Sequence, residues 1–244
     1  MLTKKNRVWA AAALLTVAGG MTSCLKNNND ITPQRQTAKV LVLNVSSNTV
    51  PASFYDNGQK VSQDGATIGF NFMALYSAFG GAHTFELRKA SGDSVIVSSN
   101  VTLDSTLYYT HIIYNNPARS ITILNDLTTA SQTKINIRCL NLSPAPADSL
   151  VDFYIGNEKI DSNRAYMGMS ELAYATKFTQ FTNFSVNNSI YVKRKGTNEV
   201  LANNNTLKTI GYFSAGGVYT IYFAGTPGST GTDKLMVDAV PSYY

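Results

Sequence analysis

Short apolar runs, rich in β-branched and aromatic residues and separated by turn signals, recur along the chain from residue 38 to residue 241. In Ile135–Cys139, two Ile and one Cys alternate with Asn and Arg, which is the pattern of a half-buried strand. Asp56-Asn57-Gly58 and Ile155-Gly156-Asn157 end two such runs and predict hairpin turns. No window shows a long helical period. The pattern predicts an all-β chain built from antiparallel, immunoglobulin-like β-sandwiches.

The chain after residue 37 also resembles itself. The matched residues include Asn44 with Asn141, Tyr55 with Tyr154, and Tyr109 with Tyr219. The matches keep their order and their spacing grows from 97 to 112 residues, as insertions in the loops of a second copy would cause. The sequence therefore predicts two tandem sandwiches, one at residues 38–128 and one at residues 133–241.

The first 23 residues have the layout of a bacterial lipoprotein signal peptide. Three basic residues precede an apolar run over residues 8–18, and mostly small residues lead to Cys24. Such a run is too short to cross a bilayer, which takes about 20 residues. The segment before Cys24 resembles a lipobox, with Met21 in place of the commoner Leu. The resemblance implies cleavage after Ser23 and lipid attachment to Cys24. The alternative is an ordinary secretory signal followed by an incidental cysteine.

Residues 24–37 are polar and aperiodic and contain Pro33, so they predict a flexible tether between the lipid and the first sandwich. Two or more acyl chains on one cysteine hold a protein stably at a membrane. We therefore expect a cell-envelope protein that is lipid-anchored to the outer membrane of a Gram-negative bacterium. The sequence leaves both the periplasmic and the outer face open.

Removal of the signal changes the charge of the chain. The whole chain has 20 basic and 15 acidic residues, and three of the basic ones lie in the signal. The remaining net charge of +2 gives no reason to expect a nucleic-acid partner. The single Trp also lies in the signal, at Trp9.

One motif in the second copy resembles a known family. It reads Asn141-Leu-Ser-Pro144, then Val-Asp152-Phe-Tyr154-Ile-Gly156. This is similar to the N-x-S-P and V-D-V-Y-x-N-G opening of the bacterial domain of unknown function 4397. The resemblance implies a secreted or lipid-anchored β-rich domain without an established activity. The first copy keeps Asn44 and Ser46 but has Ser47 and Ser53 where the motif has Pro and Asp, so we expect the second copy to be the better match.

Few residues of the sequence offer chemistry. Cys139 could be a nucleophile, but it lies on the apolar side of an alternating strand and has a valine counterpart. His83 and His111 lie on separate predicted strands, without a carboxylate cluster near them in sequence. Asp152 has a serine counterpart, which favours a structural role. We therefore predict no catalytic residue, metal site or cofactor. A hydrolase remains a remote alternative that requires distant His, Asp and Ser or Cys residues to converge.

The tyrosines are the residues most open to a functional interpretation. Tyr108 and Tyr109 are neighbours on one predicted strand, so their side chains point to opposite faces and one of them must point away from the core. Tyr109 and Tyr219 are candidate ligand-facing residues; packing within the sandwich is the alternative. We predict a non-enzymatic envelope protein whose two modules bind or scaffold. The alternative is a surface adhesin or a receptor for a glycan or protein, with an aromatic patch at the interdomain cleft or beside Tyr109.

Overall fold

The computed structural model describes residues 35–242 except 48–50, 63–66, 93, 145–149, 168–174, 183, 185–188 and 208–209. These residues form sixteen strands, β1 to β16, which confirms the predicted all-β class. Within this part of the chain, no helix has the length and hydropathy to cross a membrane.

The first half of the structure contains eight strands in two four-stranded sheets. The strands are β1 (Ala38–Val45), β2 (Ala52–Asp56), β3 (Gln59–Lys60), β4 (Phe72–Ala78), β5 (Gly81–Lys89), β6 (Val95–Leu103), β7 (Tyr108–Tyr114) and β8 (Arg119–Leu124). One sheet has the order β4-β1-β7-β8 and the other has the order β3-β2-β5-β6. The predicted turn at Asp56-Asn57-Gly58 joins β2 to β3, and Asn57 and Gly58 both have positive φ, at 49° and 77°.

The second half repeats this topology. The strands are β9 (Ile135–Asn141), β10 (Val151–Ile155), β11 (Glu158–Arg164), β12 (Thr179–Phe181), β13 (Ile190–Arg194), β14 (Val200–Asn204), β15 (Val218–Ala224) and β16 (Met236–Pro241). Its sheets have the orders β12-β9-β15-β16 and β11-β10-β13-β14, so β9 to β16 correspond one by one to β1 to β8. This correspondence supports the duplication that the sequence predicts. The sheets are not wholly antiparallel, because β1 pairs with β7 and β9 pairs with β15 in parallel.

The four sheets stack as layers separated by three apolar clusters. One cluster joins the two sheets of the first half, and another joins the two sheets of the second half. The third cluster joins the two halves and packs Leu41, Leu43 and Ile112 against Leu140 and Tyr222. The sheets that contain β1 and β9 are therefore covered on both faces. All seven residues of β9 and all seven of β15 are buried for this reason.

This stacking overturns the prediction that β9 is half-buried. Asn136 and Arg138, its polar residues, are 0% and 3% exposed. Alternation along the strand turns their side chains away from the core of the second half and toward the first half. The alternating pattern correctly located the two faces of β9, but both faces are internal.

A hydrogen-bond network around Arg138 links the two halves. Its guanidinium donates through Nε to Thr220 Oγ1 at 2.7 Å, through Nη2 to Thr110 Oγ1 at 2.7 Å, and through Nη1 to the carbonyl oxygen of Ala175 at 2.8 Å. The ring of Phe178 lies 4.9 Å from the guanidinium carbon. Burial lowers the pKa of Arg138 to about 9, because the charged guanidinium is removed from solvent. Its hydrogen bonds and the Phe178 ring replace contacts with solvent.

The network continues from Arg138 to the end of the chain. Thr110 donates to Asn125 Oδ1 at 3.0 Å, and the Asn125 amide donates to the carbonyl oxygen of Ser242 at 2.7 Å. The Ser242 hydroxyl in turn lies 2.6 Å from Thr220 Oγ1. The loop of contacts thus returns to a partner of Arg138 and crosses the interface between the halves twice.

We expect Arg138→Ala to lower the free energy of unfolding by about 3 kcal/mol, because three charge-assisted hydrogen bonds disappear and the buried Ala175 carbonyl loses its donor. Urea denaturation followed by tyrosine fluorescence measures this change. Arg119→Ala is the matched control, since Arg119 is exposed on β8, and it should change stability by less than about 0.5 kcal/mol. Equal effects of the two substitutions would contradict a role of Arg138 in joining the halves.

Candidate functional site

Tyr109 and Tyr219 lie inside the two sandwiches, so the prediction that they face a ligand is wrong. They are 9% and 7% exposed. The Tyr109 hydroxyl accepts the backbone N–H of Asp104 at 3.0 Å, and the Tyr219 hydroxyl accepts that of Ser214 at 3.1 Å. Each tyrosine thus fixes the turn five residues before it. Because β7 and β15 are covered on both faces, neither strand offers the solvent-exposed face on which an aromatic patch was expected.

Cys24, the predicted lipid-attachment residue, lies outside the described residues. The lipid anchor therefore stays a prediction.

Cys139 occupies the core position that the sequence suggested. It pairs with Ile221 in the parallel register of β9 and β15, as Val42 pairs with His111 in the first half. Its side chain is buried, and burial raises the pKa of the thiol well above its usual range. A thiol that stays protonated is a poor nucleophile.

His111 is enclosed by apolar groups of the first sandwich. Its ring lies 5.1 Å from the Phe85 ring and 5.8 Å from the Phe54 ring, centroid to centroid. Its Nδ1 lies 2.8 Å from Thr122 Oγ1. Burial lowers the pKa of His111 to about 3, since the cation would be desolvated. His111 is therefore a neutral core residue, and Ile221 occupies the equivalent position in the second half.

His83 belongs to a three-residue cluster that the sequence did not predict. Its Nδ1 lies 2.8 Å from Asp56 Oδ2, and Tyr76 donates its hydroxyl to the same oxygen at 2.6 Å. Burial, reinforced by the hydrogen bond to Asp56, raises the pKa of Tyr76. The residues come from β2, β4 and β5, and they lie up to 27 positions apart in sequence. Alternation could have indicated the inward direction of Asp56, two residues after the core residue Phe54.

The geometry of this cluster limits what His83 can do. Its Nε2 lies 2.8 Å from the carbonyl oxygen of Phe79, and its Nδ1 faces the Asp56 carboxylate. Both ring nitrogens therefore have oxygen partners within hydrogen-bond distance. A general base needs a free ring nitrogen within reach of the proton that it takes. Neither nitrogen of His83 is free, so the cluster joins three strands instead of presenting a base. Among the described residues, no group of three or more His, Cys, Asp or Glu could hold a metal ion.

The family motif has a structural role at the end of β1 and of β9. Asn44 donates its amide to the Gly69 carbonyl at 2.9 Å, and its Oδ1 accepts the backbone N–H of Ser46 at 3.1 Å. The Ser46 hydroxyl donates to the Asn115 carbonyl at 2.6 Å. In the second half, the Asn141 amide donates to the Arg164 carbonyl oxygen, and its Oδ1 accepts the backbone N–H of Ser143. The Ser143 hydroxyl donates to the Gly225 carbonyl oxygen.

A small cavity of about 190 Å³ lies beside these motifs, between the two halves. Equivalent residues of both halves line it, among them Val45 with Leu142 and Ser47 with Pro144.

Asp152 is the other motif residue. Its carboxylate accepts hydrogen bonds from Lys159 Nζ at 2.9 Å and from the backbone N–H of Asn163 at 3.1 Å. The predicted structural role of Asp152 agrees with these contacts.

An apolar opening lies in the first half, beside the edge strand β4. It is a cleft of about 290 Å³ between the two sheets. Its lining consists of Val42, Phe54, Val61, Ser62, Ile68, Phe72, Ala74, Leu75 and Tyr76. Two residues of β4, Met73 and Leu75, are 38% and 55% exposed. We call β4 and this opening the β4 cleft. Its lining is mainly apolar, as in many ligand-binding sites, whereas His111 and Cys139 lie in the core.

A second surface with binding potential covers the outer face of the β10–β13 pair. Tyr154 and Tyr191 are directly opposite in the register of this pair, and both are partly exposed. Lys193 Nζ lies 4.7 Å from the centre of the Tyr154 ring and Lys159 Nζ lies 5.6 Å from it. Aromatic rings beside ammonium groups can contact sugars or acidic side chains.

Residues 38–149 match the model of a domain of unknown function, DUF4397. This segment, 112 of the 244 residues, is similar to that family. The fuller motif favoured the second copy, but the match instead covers the first half and the opening of the second. The DUF4397 segment thus includes β1 to β9 and both copies of the Asn-x-Ser motif.

Two solved structures resemble the chain weakly. One concerns α-glucan binding by a streptococcal virulence factor; it shares 5% identity with a TM-score of 0.26 and covers 85% of this chain and 99% of its own. The other is a DUF1812 protein from Bacteroides thetaiotaomicron, named as a candidate polysaccharide binding protein. It shares 11% identity with a TM-score of 0.22 and covers 79% of this chain and 92% of its own. A comparison with curated proteins gives no match.

The buried His111 predicts a pH dependence of stability. Its pKa in the folded protein, about 3, is below the ordinary value of 6.5. Between these two pH values, His111 therefore binds a proton only in the unfolded chain. Stability should therefore fall as the pH drops from about 6.5 toward 3, by up to about 1.4 kcal/mol per pH unit from this residue. His111→Ile, which copies the residue of the second half, should remove this part of the acid sensitivity. Urea denaturation at several pH values measures the difference; parallel curves for the two proteins would contradict it.

Proposed function

We propose that this protein is a non-enzymatic binding or scaffolding protein of the bacterial cell envelope, held at a membrane by lipid on Cys24. The observation that carries the proposal is the contrast between its chemical groups and its surfaces. The Cys139 thiol and His111 are buried in apolar cores, and both nitrogens of His83 face oxygen atoms. The β4 cleft, in contrast, is open and apolar. This arrangement favours binding over hydrolysis.

The sequence supports the anchor. Cys24 follows a compact apolar run, and the first strand begins at Ala38. A flexible tether of this length has a root-mean-square reach of roughly 20 Å. Two acyl chains on Cys24 would keep the sandwiches within that distance of the membrane surface.

Metabolic labelling with a radioactive fatty acid tests the anchor. The wild-type protein should carry label and remain with the membrane fraction, whereas Cys24→Ala should lose the label. Cys139→Val is the matched control, because it removes the other cysteine and should keep the label. A Cys24→Ala protein that remains labelled and membrane-bound would contradict the proposal. Protease treatment of intact and permeabilised cells then decides between the outer and the periplasmic face.

The outer face of the β10–β13 pair favours a second candidate function, a receptor for a glycan or protein. Tyr191→Ala should then abolish binding to at least one ligand of a glycan array or a host-protein array and leave the melting temperature unchanged. Tyr212→Ala is the control, since Tyr212 is 64% exposed outside the strands. Equal binding by both variants, or a loss of stability with Tyr191→Ala, would contradict the receptor.

A further inference from the structure

The β4 strand is an unprotected sheet edge. Eight strands end a sheet in the described part of the chain. Natural proteins blunt such edges by shortness, bulges, charges or proline. Here β3 and β12 have two and three residues, pairings of β6, β11 and β14 contain register shifts, β8 carries Arg119, and β16 carries Asp238 and Pro241.

None of these devices protects β4. It has seven residues, Phe-Met-Ala-Leu-Tyr-Ser-Ala, with no charge and no proline. Its register with β1 is continuous from Phe72 to Ala78. Apolar side chains lie on both of its faces: Phe72, Ala74 and Tyr76 line the cleft and Met73 is exposed on the opposite face. Leu75 borders the cleft and is 55% exposed. A flat, apolar edge of this kind favours the addition of another strand.

We propose that β4 pairs antiparallel with β4 of a second copy of the protein, so that two inner sheets become one eight-stranded sheet. The pairing is centred on Leu75, which faces Leu75 of the second copy. In this register, the remaining pairs are Phe72 with Ala78, Met73 with Ser77, and Ala74 with Tyr76. Each of these pairs sets a large side chain against a small one, which permits close packing of the two strands.

Charge also favours a symmetric contact. In a two-fold pairing, a residue at the centre of the contact faces its own copy. A charged residue there would therefore meet a like charge. The seven residues of β4 contain no charge, unlike β11, which carries Glu158, Lys159, Asp161 and Arg164. The symmetric contact also brings the exposed Met73 and Leu75 side chains of both copies side by side, which removes part of their apolar surface from water.

The size of the contact predicts where the dimer forms. A strand of seven residues is about 24 Å long, and a single strand pair buries less surface than the roughly 1,600 Å² of a typical stable interface. We therefore expect a weak dimer in solution. Confinement to a membrane raises the effective concentration and favours the pair. This last step rests on the proposed lipid anchor.

Disulfide cross-linking of the full-length protein in bacterial membranes tests the pairing. Residues that face each other across antiparallel strands have Cα atoms about 4.5 to 5.5 Å apart, which suits a disulfide. With Leu75→Cys, mild oxidation should yield a species of twice the monomer mass, and peptide mass spectrometry should show position 75 linked to itself. Val200→Cys is the matched control: Val200 is 48% exposed on the edge strand β14, and this variant should stay monomeric.

A charge at the same position provides the second measurement. Leu75→Asp should lower the yield of chemically cross-linked dimer at least tenfold in membranes, while Val200→Asp should leave it unchanged. An unchanged yield with Leu75→Asp would overturn the proposal. A Leu75→Cys protein that cross-links to a different protein would overturn the second copy as the occupant of β4. A Leu75→Cys dimer in a chain that carries no lipid would contradict the anchor alone, and a lipid-labelled chain without the dimer would contradict the β4 pairing alone.

Discussion

The packing of the two halves against each other is the constraint on which the rest of the structure depends. Each half alone would have one face of its inner sheet in water. Stacking covers these faces with an apolar cluster, and Arg138 supplies hydrogen bonds across the contact. A buried guanidinium is costly unless its donors are satisfied, so its partners Thr110 and Thr220 must be held in place. The two halves therefore form one packed unit. Polar residues can occur on its central strands because they hydrogen-bond to each other across the contact.

The apolar core inside each half decides the environment of the residues that could do chemistry. Apart from the partly exposed Tyr108, all residues of β7, β9 and β15 are buried. His111 and Cys139 lie on such strands and take the uncharged forms that an apolar environment favours. Tyr109 and Tyr219 use their hydroxyl groups to hold neighbouring turns. Interaction with other molecules is thus left to the outer faces and the sheet edges.

The sequence predicted the class of fold well, because alternation and turn residues are local signals. The turn at Asn57-Gly58 and the core position of Cys139 follow directly from such signals. Two features could not be predicted. The burial of Arg138 depends on a partner sheet from the other half, and alternation alone does not distinguish a partner sheet from water. The contact of His83 with Asp56 depends on strand pairing over 27 residues, for which the sequence has no local signal.

The two halves differ at the sheet edge that β4 forms in the first half and β12 forms in the second. Its counterpart β12 has three residues, so the second half ends the equivalent edge by shortness. The first half keeps a long edge of apolar residues there, although one charged residue would protect it. The motif residues Asn44 and Asn141, in contrast, make the same contacts in both halves, because each ends an inner strand. The halves thus share the contacts that end their inner strands and differ at the edge where we propose that a further strand binds.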